Sequence, residues 1–324
     1  MLAYVKRSRF ATIAGGVPGV SESVSSQLRI GVVGLGNMGG RIAKRLVAGG
    51  EAVRGYDRSA DAIGASVATP APSVGALVAQ VDVLLMSLPD SRAVESVVYG
   101  DDGVLANCRA RQVVADLTTA APASTVRIHA DLAARGVDYL DVGISGGAKA
   151  AESGALSIMV GGSPEALERV RPVFSHFSAN VFHMGASGSG HTTKLLNNYL
   201  NGVSLAATAE VMLAGKKAGL DLGQLLDVIN ASSGVNFATL ERFPSIVKGD
   251  YLEGGLTVNL MAKDLFAYLD LLTDLQLTSF TGAGTLGCFT LAAALGYGDQ
   301  ISNRVVDALG DAAGGLRVGE TPEP

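Results

Sequence analysis

Lys194, Asn198 and Asn201 recur at i, i+4 and i+7 within a stretch that reads as one unbroken helix, so they share a face. Leu195, Leu196, Tyr199, Leu200, Val203 and Leu205 make most of the remaining surface apolar. A lysine in such surroundings is partly buried. Burial lowers an ammonium pKa towards neutrality, where an amine can both take and give a proton. Taken alone, the same lysine also fits a solvated position at a helix start.

Two other segments could hold anions. Gly34, Gly36 and Gly39 form G-x-G-x-x-G, with the apolar run Arg29–Val33 before them and a helical pattern after them. In a strand–turn–helix, the first glycine permits the tight turn. The second lets the backbone approach a pyrophosphate, and the third lets helix and strand pack closely. The helix N-terminus offers free N–H groups to the phosphates. Asp57, at the end of the next apolar run, suits an adenosine ribose and repels a 2′-phosphate, which favours NAD. Arg58 beside it could hold that phosphate, so NADP stays possible. Further on, Ser145, Gly146 and Gly147 follow another apolar run, where a hydroxyl and backbone N–H groups could clasp a carboxylate. A plain glycine turn explains that segment equally well.

The elements that must position these residues are legible as strands near 29–33, 51–56, 81–88, 112–117, 137–142, 156–160 and 181–183. Helical patterns lie between most of them, so the sheet should be largely parallel. After Gly185 the texture becomes helical. The expected architecture is an α/β Rossmann-type N-terminal domain joined by a long helix to an all-α C-terminal domain. The expected divisions are a disordered leader over 1–27, a dinucleotide-binding domain over 28–190, a helical domain over 191–312 and a flexible tail over 313–324.

Composition sets bounds. Of 324 residues, 48% are hydrophobic, enough to bury two cores, and the net charge of −5 gives no general attraction to nucleic acid or an anionic membrane. Two cysteines, Cys108 and Cys288, make no disulfide framework, and no metal-ligand spacing is present. A reducing, cytoplasmic setting follows as the expectation. The stretch 275–298 carries no charge but is rich in threonine and glycine, which favours a buried helix over a membrane span.

Together these segments resemble the β-hydroxyacid dehydrogenase family, from about Arg29 to about Leu309. GLGNMGGRIAKRL is similar to its cofactor signature, DVGISGGAKAAESGAL to its substrate signature and GSGHTTKLLNN to its catalytic signature. MAKDL is similar to the segment carrying its later lysine. The resemblance implies Lys194 as general acid and base, with Ser145, Gly146, Gly147 and Asn198 holding substrate. It implies a cofactor site of Gly34, Leu35, Gly36, Asn37, Met38, Gly39, Asp57, Arg58, Leu88, Pro89, Thr118 and Lys263. It also implies a small hydroxy-carboxylate substrate and a homodimer or homotetramer. Two positions depart from the pattern: Gly143 stands where proline is common, and Thr193 where a small residue is common. The competing expectations are an imine reductase, a sugar-acid dehydrogenase or a redox-silent dinucleotide-binding scaffold on the same fold.

Overall fold

The computed structural model describes residues 28–319, so the expected leader lies outside the described residues. Eight strands form one sheet: β1 (Ile30–Val33), β2 (Val53–Tyr56), β3 (Thr69–Pro70), β4 (Val83–Met86), β5 (Val113–Asp116), β6 (Asp138–Ser145), β7 (Leu156–Gly161) and β8 (Ser178–Gly185). Their order is β3-β2-β1-β4-β5-β6-β7-β8. The first six run parallel, β7 turns back antiparallel to β6, and β8 follows β7. Strand β3 is absent from the sequence reading because two residues, one of them proline, carry no periodicity.

β1, β4 and β5 as far as Ala115 read as continuous apolar runs because helices cover both faces of the sheet. Val32, Leu85 and Ala115 join one core with Ile42 and Leu46 of the helix Asn37–Ala48. Val33, Leu84 and Val114 point the opposite way, into a second core with Val94 and Ile128. The strand order reverses between β1 and β4, and there the chain ends of both strands open a crevice.

From Ser189 to Lys217 the chain forms one helix of 29 residues, about 44 Å long. Its first turns lie against β6 and β7. Its later residues Leu205, Ala209 and Met212 enter a third core with Met261, Leu265, Phe289 and Val305. The chain is therefore an α/β domain followed by a helical region that begins with this helix.

The helical segments depart from expectation in three places. The charge-free stretch 275–298 is not one helix. It contains Gly282–Ala292 and then a kink at Gly296, whose φ is 92°. Among the described residues no helix is long and apolar enough to cross a membrane. Within the region that reads as helical, residues 237–248 form no single α-helix but one π-turn, Ala238–Arg242, followed by a short α-helix, Phe243–Ile246. Pro244 lacks the N–H that would continue the α pattern through this point. The expected flexible tail packs down over its described part: Val318 is 1% exposed in the helical core, and Arg317 pairs with Asp311. An apolar pair, Leu316 and Val318, outweighs the glycines that suggested a free end.

Candidate active site

At the crevice, each glycine of the first turn has a distinct steric reason. Gly34 has φ +88°, and a Cβ there would meet the Ser87 carbonyl oxygen at 2.1 Å. A Cβ on Gly39 would lie 1.9 Å from the Gly34 oxygen. Gly36 faces open space, with nothing within 4 Å of a would-be Cβ. The helix Asn37–Ala48 starts from Gly36 without a side-chain cap or an acidic residue in its first turn. Its leading N–H groups therefore point into the crevice unneutralised.

Around this turn the other expected cofactor residues take varied places. The Leu35 side chain is buried, and its N–H donates to Asp57 Oδ2 at 2.7 Å. Asp57 Oδ1 accepts from Ser59 N at 2.8 Å, so the carboxylate is fixed beside the turn. Arg58 is exposed. Met38 packs against the sheet core, and Asn37 reaches the Gly254 oxygen at 3.4 Å. Leu88 N donates to the buried Thr118 hydroxyl at 3.1 Å, tying together the loops after β4 and β5. Lys263 comes from the helix Val258–Asp274 and donates to the Thr119 oxygen at 2.9 Å and the Pro89 oxygen at 3.3 Å. It bridges the helical region to the two loops that flank the crevice.

The second cluster forms where the long helix crosses β6. A Cβ on Gly143 would lie 2.7 Å from the Lys194 Cβ and 3.0 Å from the Gly190 oxygen. A Cβ on Gly190 would lie 2.3 Å from the Asp141 oxygen. These glycines let helix and strand touch, and they set Lys194 directly against β6. Ser145 is two residues beyond Gly143, so it projects from the same strand face, towards the helix. Gly146 and Gly147 follow with φ of 123° and 67° and are exposed at the strand end.

The helix start is held by a buried carboxylate. Asp141 accepts from Gly188 N at 2.8 Å and from His191 N at 2.9 Å, capping the helix from a neighbouring strand. The buried His191 ring bridges Thr125 Oγ1 at 2.8 Å and the Asp116 main-chain oxygen at 3.1 Å. Asp116 in turn accepts from the Thr118 N–H and the Tyr139 hydroxyl. This chain of bonds fixes the helix against the same loop that carries Thr118. Burial, with Asp116 close by, pushes the Tyr139 hydroxyl well above its usual pKa, so it stays a donor.

Lys194 is 9% exposed. Burial lowers its pKa from 10.5 to about 8, against the upward pull of Asp264 and with a further push down from Lys263. Asn198 is also buried, and its Nδ2 donates to Asp264 Oδ2 at 2.5 Å. Asp264 Oδ1 lies 3.0 Å from Lys263 Nζ, an ion-pair contact out of line for a hydrogen bond. Asp264 thus orients Asn198 and sets the local potential at Lys194. A buried amine of lowered pKa, a buried amide and an exposed glycine turn lie near the dinucleotide-type crevice.

Residues 29–185 match the model of the NAD-binding domain of 6-phosphogluconate dehydrogenase. Residues 188–309 match that described as NAD-binding of NADP-dependent 3-hydroxyisobutyrate dehydrogenase. A 3-hydroxyisobutyrate dehydrogenase of Pseudomonas aeruginosa is 36% identical over 82% of this chain and 92% of its own. The chain belongs to the β-hydroxyacid dehydrogenase family.

Another relative in this dehydrogenase family, the 2-(hydroxymethyl)glutarate dehydrogenase of Eubacterium barkeri, is 36% identical over 75% of this chain and 81% of its own. The solved Mycobacterium tuberculosis 3-hydroxyisobutyrate dehydrogenase, described with L-serine, superposes with a TM-score of 0.79 at 29% identity. That match covers 87% of this chain and 99% of the other. An imine reductase from Myxococcus stipitatus, 17% identical with a TM-score of 0.59, shares the fold alone. The protein is an NAD(P)-dependent hydroxyacid dehydrogenase of this family. The open face over Gly36 and the uncapped helix fit a dinucleotide pyrophosphate. Asp264, Asp141 and His191 escaped the sequence reading. Asp264 adjoins Lys263 in MAKDL, and its period alone could have placed it on a buried face.

Proposed function

We propose that this dehydrogenase reversibly oxidises a small β-hydroxy acid, similar to 3-hydroxyisobutyrate, to its semialdehyde. The observation that carries the proposal is Lys194, a buried amine brought to about 8 on the helix face it shares with Asn198. The substrate carboxylate sits at the turn Ser145–Gly146–Gly147, and its hydroxyl faces Lys194 and Asn198. A bound nicotinamide supplies the hydride acceptor or donor and, when oxidised, a positive charge that favours the neutral amine. Lys194 Nζ takes the hydroxyl proton on oxidation and returns it on reduction. Asn198, held by Asp264, directs an N–H or its oxygen at the reacting oxygen. Lys263 holds the flanking loops together over the crevice.

NAD is the proposed partner over NADP, because Asp57 stands at the β2 end while Arg58 turns to solvent. The proposal includes a cytoplasmic homo-oligomer. Its support is the apolar surface of the helical region, where Phe280 is 94% and Leu200 65% exposed. The 3-hydroxyisobutyrate and 2-(hydroxymethyl)glutarate dehydrogenases named above act, by their names, on acids that carry the hydroxyl one carbon from the carboxylate-bearing carbon.

A panel of 3-hydroxyisobutyrate, glycerate, 4-hydroxybutyrate and threonate, each with NAD+ and NADP+, tests the assignment. The β-hydroxy acids should be oxidised fastest, with NAD+. Absence of hydride transfer from every acid overturns it.

A further inference from the structure

The helical region holds a cation that this scheme leaves idle. Arg242 ends the π-turn Ala238–Arg242, a geometry that is rare and recurs at functional sites. Its guanidinium is only partly open to solvent, yet among the described residues no carboxylate lies within ion-pair distance of it. Its bonds go to neutral oxygens: Nη1 to Asn303 Oδ1 at 2.6 Å and Ser302 Oγ at 3.4 Å, and Nη2 to Asn201 Oδ1 at 3.0 Å. Burial brings its pKa down to about 10, and a guanidinium there remains charged at neutral pH. Three of the five donors are thus oriented by groups that do not neutralise the charge, and the guanidinium carbon lies 5.7 Å from the centre of the Phe237 ring. Among the described residues Nε and one Nη2 hydrogen have no hydrogen-bond partner. Those two N–H groups suit the two oxygens of a carboxylate.

The position is as telling as the charge. Asn201 lies on the same helix face as Asn198 and Lys194, about 10 Å along the axis from Lys194. Arg242 therefore stands at the far end of the strip whose near end is the reacting amine. A strip of roughly 10 Å is on the scale of a short dicarboxylate with a hydrogen bond of about 3 Å at each end. We infer that Arg242 receives a second carboxylate of the substrate, so that the preferred substrates are β-hydroxy dicarboxylic acids. This rests on the proposed role of Lys194 as the reacting end. A guanidinium left with neutral ligands alone is costly in a partly dry site, and the incoming carboxylate offsets that cost.

The test compares 2-(hydroxymethyl)glutarate with 3-hydroxyisobutyrate by kcat/KM. It also compares glutarate with butyrate by calorimetric binding to the protein with NAD+. The wild type should favour each dicarboxylate by about tenfold or more, a difference of one charged hydrogen-bonded pair. Arg242→Gln should cut both preferences at least tenfold, mainly through KM for the turnover pair. Arg242→Lys, which keeps the charge but loses the fork, should recover part. Thermal melting of both variants identifies a folding defect. If Arg242→Gln does not fold, the wild-type preferences and Arg242→Lys decide. Equal wild-type use of the two acid classes, or an equal loss of both in the variants, overturns the inference. Preferential glutarate binding that needs Arg242, without oxidation of any hydroxy acid, would uphold this site and overturn the proposed reaction. Oxidation of 3-hydroxyisobutyrate with no dicarboxylate preference would do the reverse.

Discussion

Replacing Lys194 by methionine should make the protein more stable at neutral pH while removing its activity. In the folded state the amine has a pKa of about 8, against 10.5 for a free lysine. Below pH 8 both states carry the proton, and the folded state bears the full cost of a buried charge. At about 1.36 kcal/mol per unit, that cost is about 3 kcal/mol at pH 7. Between 8 and 10.5 the unfolded chain binds more protons than the folded one, so wild-type stability rises with pH. Above 10.5 both states are neutral and the cost is gone. Methionine has a similar stem and no charge, so Lys194→Met should gain about 3 kcal/mol at pH 7 and about half of that at pH 9.5. That gain corresponds to a melting increase of roughly 5–10 °C at pH 7. Turnover should fall by about 10²–10⁴ with cofactor affinity kept, as for a lost general base. Melting at the two pH values, cofactor titration and steady-state rates measure all three. A variant less stable at pH 7, or a gain that does not shrink with pH, would refute the electrostatic argument. Retention of more than a tenth of the turnover would refute the catalytic one.

Three further outcomes follow from the same geometry. Asp264 pulls the Lys194 pKa upward, so in Asp264→Asn the rising limb of the kcat/KM–pH profile should move to lower pH; a move to higher pH contradicts the assigned cause. Gly143→Ala places a Cβ 2.7 Å from that of Lys194 and should push the helix away, costing about 1–3 kcal/mol in melting and lowering kcat while cofactor affinity holds. Asp57→Ser removes the carboxylate beside the glycine turn, and the NADP+ to NAD+ ratio of kcat/KM should rise about tenfold or more, since about 1.4 kcal/mol suffices. An unchanged ratio would remove Asp57 from cofactor choice.

What the sequence determined by itself is local. Apolar stretches over 29–33, 81–88 and 112–117, the first closed by Gly34 and the second by Pro89, marked β1, β4 and β5, and the interval from Lys194 to Asn198 placed both on one face. Spacing along the chain is physics of the nearest turn, and no partner is needed to read it. The tertiary structure alone decided which faces meet. Asp264 lies 66 residues from Asn198, and Arg242 41 residues from Asn201, yet each pair is in hydrogen-bond contact. Asp141 is 47 residues from the helix end that it caps. Strand β3, the break within 275–298 and the packed segment before the C-terminus were settled the same way, by neighbours distant in sequence. An aspartate's charge is plain in the sequence, but whether it raises a lysine's pKa depends on a distance that only the folded chain sets.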